Sequence, residues 1–267
     1  MLKYAIPLRA LLFCSIVLAG EVVSAQGRRS PNLGELSTIE LEVRRWRGDL
    51  DSELRLSGDG IPGSTLDPAA DLGIPAERTW DYRLGLRITN RLRLRGAWFR
   101  TKYESEIVLT KDIAIGGLEV PRGAVLESFL ELEQVQAGAE FALVRGVYGF
   151  ISVVGLYERF QARSRFQSEG TTTEPEPLRI ELPVFGFKGR VYLTPALAVT
   201  AEGLGMKRES EGVVTDVDVM ATYNFIPNVA FSYGYRNSYN RVKSVEEVDD
   251  RAVFRMRGQY FGVTVRF

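Results

Sequence analysis

The sequence predicts an all-β fold, a transmembrane antiparallel up-and-down β-barrel of about ten strands, with eight and twelve as alternatives. Three observations carry that expectation. Apolar and polar residues alternate with a period of two along most of the chain. Short and long connections alternate strictly. Charged residues within the strands fall on the face opposite the apolar one.

The ten runs span about 38–57, 79–89, 91–109, 124–142, 146–166, 178–193, 197–208, 213–225, 229–242 and 252–267. Several exceed the ~9–11 residues that cross a bilayer, so their outer ends should project beyond it. Val213 to Phe225 is the clearest run, with Val217, Val219, Tyr223 and Phe225 on one face and Asp216 and Asp218 on the other. In 124–142 the apolar set moves from Leu126, Leu130 and Leu132 to Val135, Ala137, Ala139 and Phe141, a shift that predicts a β-bulge. Thr89-Asn90, Val144-Arg145-Gly146, Thr194-Pro195-Ala196 and Ile226-Pro227-Asn228 read as tight turns. Between them lie the links 58–78, 110–123, 167–177 and 243–251, and a shorter one at 209–212. Strands running up and down would put every short turn on one side of the membrane and every long loop on the other.

The two ends of the chain add independent marks. Lys3 and Arg9 precede the apolar stretch Ala10–Gly20, and Val23-Ser24-Ala25 offers small residues at a cleavage site. Residues 1–25 therefore read as a cleaved signal peptide and 26–267 as the barrel. That stretch is too short for the roughly 20 apolar residues of a membrane-spanning helix. At the other end Phe261, Val263, Val265 and Phe267 share one face, and the chain stops on Phe. This resembles the terminal strand of bacterial outer-membrane barrels, where the last aromatic serves barrel assembly. The resemblance implies the outer membrane of a Gram-negative cell, contact with the barrel assembly machinery, and outer-membrane lipids and lipopolysaccharide as surroundings. Segment 58–95, with Asp71-Leu72-Gly73 and Asn90-Arg91-Leu92-Arg93-Leu94, looks like poorly characterised small outer-membrane proteins. No activity follows from that likeness.

In such a barrel the ionised side chains should line the lumen. Lys or Arg facing lipid near the midplane costs roughly 2–4 kcal/mol. Strand phase assigns Arg83, Arg87, Arg93, Arg95, Glu140, Lys188, Arg190, Glu202, Asp216, Asp218 and Arg236 to the lumen. Leu84, Phe187 and Val219 then face lipid. Both signs occur inside a narrow space, so a salt-bridged, largely closed lumen is expected. A soluble barrel would reverse these faces. Trp98, Tyr103, Phe160 and Tyr239 are expected to form an aromatic girdle toward the long loops, and Phe141, Tyr148, Tyr223, Phe225 and Phe231 one near the short turns.

Chemistry is restricted by composition. The chain has no His, and its one Cys, Cys14, lies in the export segment. Omptin-type proteases, PagP-like acyltransferases, PagL-like deacylases and barrel phospholipases, which share this barrel size, rely on a catalytic His. Their mechanisms find no base here. Cofactors and His/Cys metal sites are not expected. A zero net charge without a basic stripe argues against nucleic acid. Asp216 and Asp218 share a face, more in keeping with partners of lumen arginines than with an acid–base pair. Arg100, Lys102, Arg163, Arg165, Lys207 and Arg208 cluster near the long-loop ends, at the height of lipopolysaccharide phosphates. The acidic stretch Glu246–Asp250 lacks a calcium-loop pattern and reads as exposed loop. The leading expectation is a non-enzymatic outer-membrane protein with a structural, envelope or surface-interaction role. The alternative is a narrow porin-like channel for small solutes, and a carboxylate-only hydrolase comes last.

Overall fold

A computed structural model of the chain describes residues 37–58, 61–208, 212–243 and 251–267. The export segment 1–25 and the acidic stretch 246–250 lie outside the described residues.

Ten strands form the wall: β1 (Ile39–Arg55), β2 (Glu77–Arg87), β3 (Leu92–Val108), β6 (Val125–Gly146), β7 (Gly149–Ser168), β9 (Leu178–Tyr192), β10 (Leu197–Arg208), β11 (Gly212–Ile226), β12 (Val229–Lys243) and β13 (Arg251–Arg266). Every neighbouring pair is antiparallel. Pairing of β1 with β13 and of β6 with β7 closes the sheet into a barrel. Closure removes the free edges that an open sheet would leave unpaired in lipid. The link between β1 and β2 carries one helical turn, α1 (Pro68–Asp71), capped by the Asp67 carboxylate, which accepts from the Ala69 and Ala70 amides. The link from β3 to β6 folds as a small hairpin of β4 (Ile113–Ile115) and β5 (Leu118–Val120), and β8 (Thr171–Thr173) pairs back onto β7.

At the short-turn end the barrel is inside-out. Leu84 is 49 % exposed, Phe187 64 % and Val219 47 %, whereas Arg44, Asp218 and Arg236 are buried inside. This belt of exposed Leu, Val, Phe and Tyr suits acyl chains, not water. At the long-loop end the polarity reverses. Leu50, Leu54, Tyr103, Leu126, Leu130, Phe160, Ile180 and Phe254 fill the interior, while Lys102, Glu104, Glu127 and Arg257 stand on the outside. The loop after β1 closes this end: Leu66 bridges to Leu54 across the backbone, and Leu56, Leu72 and Ile74 complete the core with Ile113, Ile115 and Val120 from the hairpin.

The structure corrects three expectations. Residues 127–141 hold an unbroken register against both neighbours, so the shift of the apolar set is no bulge. Even-numbered residues of β6 point inward from Leu126 to Ala142; the surroundings change from dry core to lipid-wrapped polar lumen. The irregularity in β6 lies instead between Ala142 and Val144. Tyr103 and Phe160 point into the upper core and belong to no girdle. The turn expected at 144–146 falls at Val147-Tyr148, because β6 continues to Gly146.

Candidate functional site: the ion-paired lumen

The lumen charges come from alternate positions of strands spaced around the barrel, which lets opposite walls meet at the axis. Arg236 from β12 marks the boundary between the halves. It bonds Asp216 at 2.5 Å, Asp81 at 3.1 Å and the Gln134 side-chain oxygen at 2.8 Å. Its guanidinium lies 4.9 Å from the Trp46 ring centre and 5.5 Å from that of Phe99, the first rings of the apolar half. Gln134 and Gln136 donate to the Glu158 carboxylate at 2.5 and 2.6 Å.

One layer toward the short turns, Arg44 bonds Asp218 at 2.5 Å and Glu42 at 2.9 Å, and stacks 4.3 Å from the Tyr260 ring centre. The Tyr260 hydroxyl donates to Asp218 at 2.6 Å. Arg83 completes the layer, 3.1 Å from Asp81 and 3.4 Å from Asp218. These bulky groups fit because small residues face them: a Cβ on Gly234 would sit 2.5 Å from the Tyr260 hydroxyl. On the opposite wall Arg95 forks onto both Glu202 oxygens at 2.8 and 2.9 Å, and Glu140 holds Lys188 at 3.0 Å. At the short-turn mouth Arg266 and Arg93 approach Glu40 at 2.8 and 3.4 Å, and Arg190 donates to Thr200 at 2.8 Å. Arg87 lines a shallow cleft beside Arg91 and Arg145.

All eleven residues assigned to the lumen by phase lie on the inward side of their strands. Glu40, Glu42, Arg44, Asp81, Glu158 and Arg266 belong to the same lattice and were not singled out. For β1 the signal was there, since Glu40, Glu42 and Arg44 alternate with Ile39, Leu41 and Val43. Glu158 carried no such signal, because its outward neighbours are Tyr157 and Arg159.

Outside the wall, four of the six proposed lipid contacts gather on adjacent strands. Arg100, Lys102 and Arg163 converge on the Glu131 carboxylate at 2.6, 3.7 and 3.5 Å, and Arg165 lies two pairing rows above, opposite Phe129. Trp98 sits just below, its indole nitrogen donating to Glu133 at 3.0 Å. Lys207 and Arg208 lie apart on β10, and Arg208 has the lumen phase at the rim. Near the loop core, burial pushes the Asp71 carboxyl pKa up, but bonds from Lys111 at 2.8 Å and the Asp67 amide outweigh it and hold it below the ordinary range.

A closed antiparallel barrel with an apolar belt and charges at its axis suits a lipid-spanning wall. This is the fold of a bacterial outer-membrane β-barrel. Among solved structures, the outer-membrane barrel resembles the outer membrane protease OmpT from Escherichia coli, with a TM-score of 0.50, 10 % identity, and coverage of 86 % of this chain and 96 % of that one. It also aligns with Ail, the attachment invasion locus protein of Yersinia pestis, at a TM-score of 0.36, 12 % identity, and coverage of 87 % and 100 %. Neisserial surface protein A aligns at 0.31, with 14 % identity and coverage of 86 % and 98 %. No protein-family model matches the sequence, and no curated protein matches it. The belt and the fold place the outer-membrane barrel in the bacterial outer membrane.

Proposed function

We propose that this barrel is a sealed, non-enzymatic envelope protein that anchors a rigid, loop-capped head at the cell surface. The observation that carries the reading is the filled axis: ion-paired layers in the lipid-wrapped half and a dry apolar core beyond it. Asp216 is engaged by Arg236, and Asp218 by Arg44 and Tyr260, so neither carboxylate is placed to take a substrate proton. The basic patch around Glu131 stands just above Trp98 and suits the phosphates of lipopolysaccharide in the outer leaflet. The exposed Phe267 suits a role in delivery to the assembly machinery.

Purified protein in planar bilayers should stay electrically silent. Discrete openings would establish instead the narrow channel lined by residues such as Arg83 and Glu202. Hydrolysis of lipid or peptide that disappears in Asp216→Asn or Asp218→Asn would establish an enzyme. Phosphate from co-purified lipopolysaccharide should fall in an Arg100→Gln/Arg163→Gln variant while the barrel stays folded.

A further inference from the structure

The outer wall of β1 and β2 carries three arginines that make no ion pair among the described residues. Arg47 and Arg78 are exposed and stand directly opposite each other in the β1–β2 register. Cross-strand neighbours of this kind have Cβ atoms about 5 Å apart, and like charges there repel. One outward row nearer the belt, Arg45 faces Trp80, its guanidinium 4.6 Å from the ring centre. The carboxylates nearby are turned to other partners. Asp49, the next outward residue of β1, stands opposite Arg257 of β13. Glu77 accepts the backbone amide of Arg78 at 3.3 Å. Glu131 and Glu133 lie on β6, two strands from β2, where Arg100 and Trp98 engage them.

Below these arginines the wall is aromatic. Trp80 is 48 % exposed, and the outward Tyr82 stacks on Trp98 with 5.4 Å between ring centres. Exposed Trp and Tyr gather where hydrocarbon gives way to headgroups. The opposed arginines therefore stand where an anionic headgroup meets the wall. They form a second cationic centre on this side, beside the one around Glu131. At the usual spacing of strands the two centres lie about 12 Å apart along the sheet.

We propose that the two centres grip one lipid molecule, a glycolipid whose disaccharide headgroup carries two phosphates. Arg47 and Arg78, with Arg45, take one phosphate; Arg100, Lys102 and Arg163 take the other. Lipopolysaccharide presents such a headgroup, with a phosphate at each end of its sugar pair. Guanidinium forks suit phosphate oxygens, and an anion between Arg47 and Arg78 turns their repulsion into a shared attraction. Glu131 already draws on three cations, so the Arg47–Arg78 pair is the less compensated half of the grip. Trp80 and the Tyr82–Trp98 stack lie between the halves and support the sugars. The inference rests on the reading of the Glu131 patch as a lipopolysaccharide contact.

The test titrates the purified barrel, folded in uncharged detergent micelles, with diphosphoryl lipid A and with its monophosphoryl form, followed by tryptophan fluorescence. Wild type should bind the diphosphoryl lipid at least tenfold more tightly than the monophosphoryl one. In Arg47→Gln/Arg78→Gln the diphosphoryl affinity should fall at least tenfold and the two lipids should bind alike. Arg122→Gln, in the exposed loop between β5 and β6, should behave as wild type. Both wall arginines are exposed and repel each other, so the double variant should fold, which heat-modifiable migration checks. Equal wild-type affinity for the two lipids, or a folded double variant that keeps the preference, would overturn the two-phosphate grip and leave the Glu131 patch standing. Binding of neither lipid would overturn both.

Discussion

Arg236 shows how a single side chain can join two environments. Its guanidinium satisfies two carboxylates and a glutamine oxygen on one side and lies against Trp46 and Phe99 on the other. Replacing it with Gln would strand Asp216 and leave Asp81 to Arg83 alone, and loss of one member of a buried pair costs about 3–5 kcal/mol. The Arg236→Gln barrel should therefore unfold at clearly lower denaturant, read from the loss of heat-modifiable migration. Gly234 makes a steric prediction of the same kind. A methyl group there meets the Tyr260 hydroxyl at 2.5 Å and the Val219 carbonyl at 2.7 Å. Gly234→Ala should destabilise by about 1–3 kcal/mol, and a Gly234→Ala/Tyr260→Phe double variant should recover part of that loss. Asp71 adds a pH effect. Its folded pKa is depressed, so its contribution is present above the ordinary carboxylate range and lost as pH falls through the folded value. Amide exchange in residues 66–74 should quicken on acidification, and Asp71→Asn should abolish that dependence.

Strands obey phase more faithfully than sequence polarity implies. All ten wall strands are legible in the sequence, because a wall with lipid on one side and charge on the other writes a clean period of two. The strict alternation of short and long connections is not kept, since β10 and β11 are joined by three residues only. What misled was the assumption that the same side of a strand is apolar along its whole length. In β6, Leu130 and Glu140 point the same way but meet different surroundings. Lumen charges such as Arg95 and Glu202 were legible because their neighbours are apolar or small; their pairing across the axis was not, since barrel closure sets it. The contrast is testable on single strands. Phe187→Lys, on the lipid face, should cost ~2–4 kcal/mol, whereas Glu127→Lys on the outer wall above the belt should change stability by only about 0.5 kcal/mol. Folding from urea into lipid vesicles would measure both.

At the scale of the whole molecule, closure rests on two seals with different physics. The loop after β1 blocks the upper end with Leu66, Leu72 and Ile74, while the lower half is blocked by paired charges that make no use of that loop. Deleting residues 58–75 should therefore leave the bilayer silent, although it exposes the upper core and lowers resistance to protease. Current through that deletion variant would mean that the charged layers hold water in continuous file.

The change of polarity along the axis has a consequence for how the molecule meets its solvents. One stretch of wall draws its stability from hydrocarbon around it, and the next carries its own oil within. Stripping away the bilayer should thus loosen the barrel from the base upward, with the crown the last part to melt.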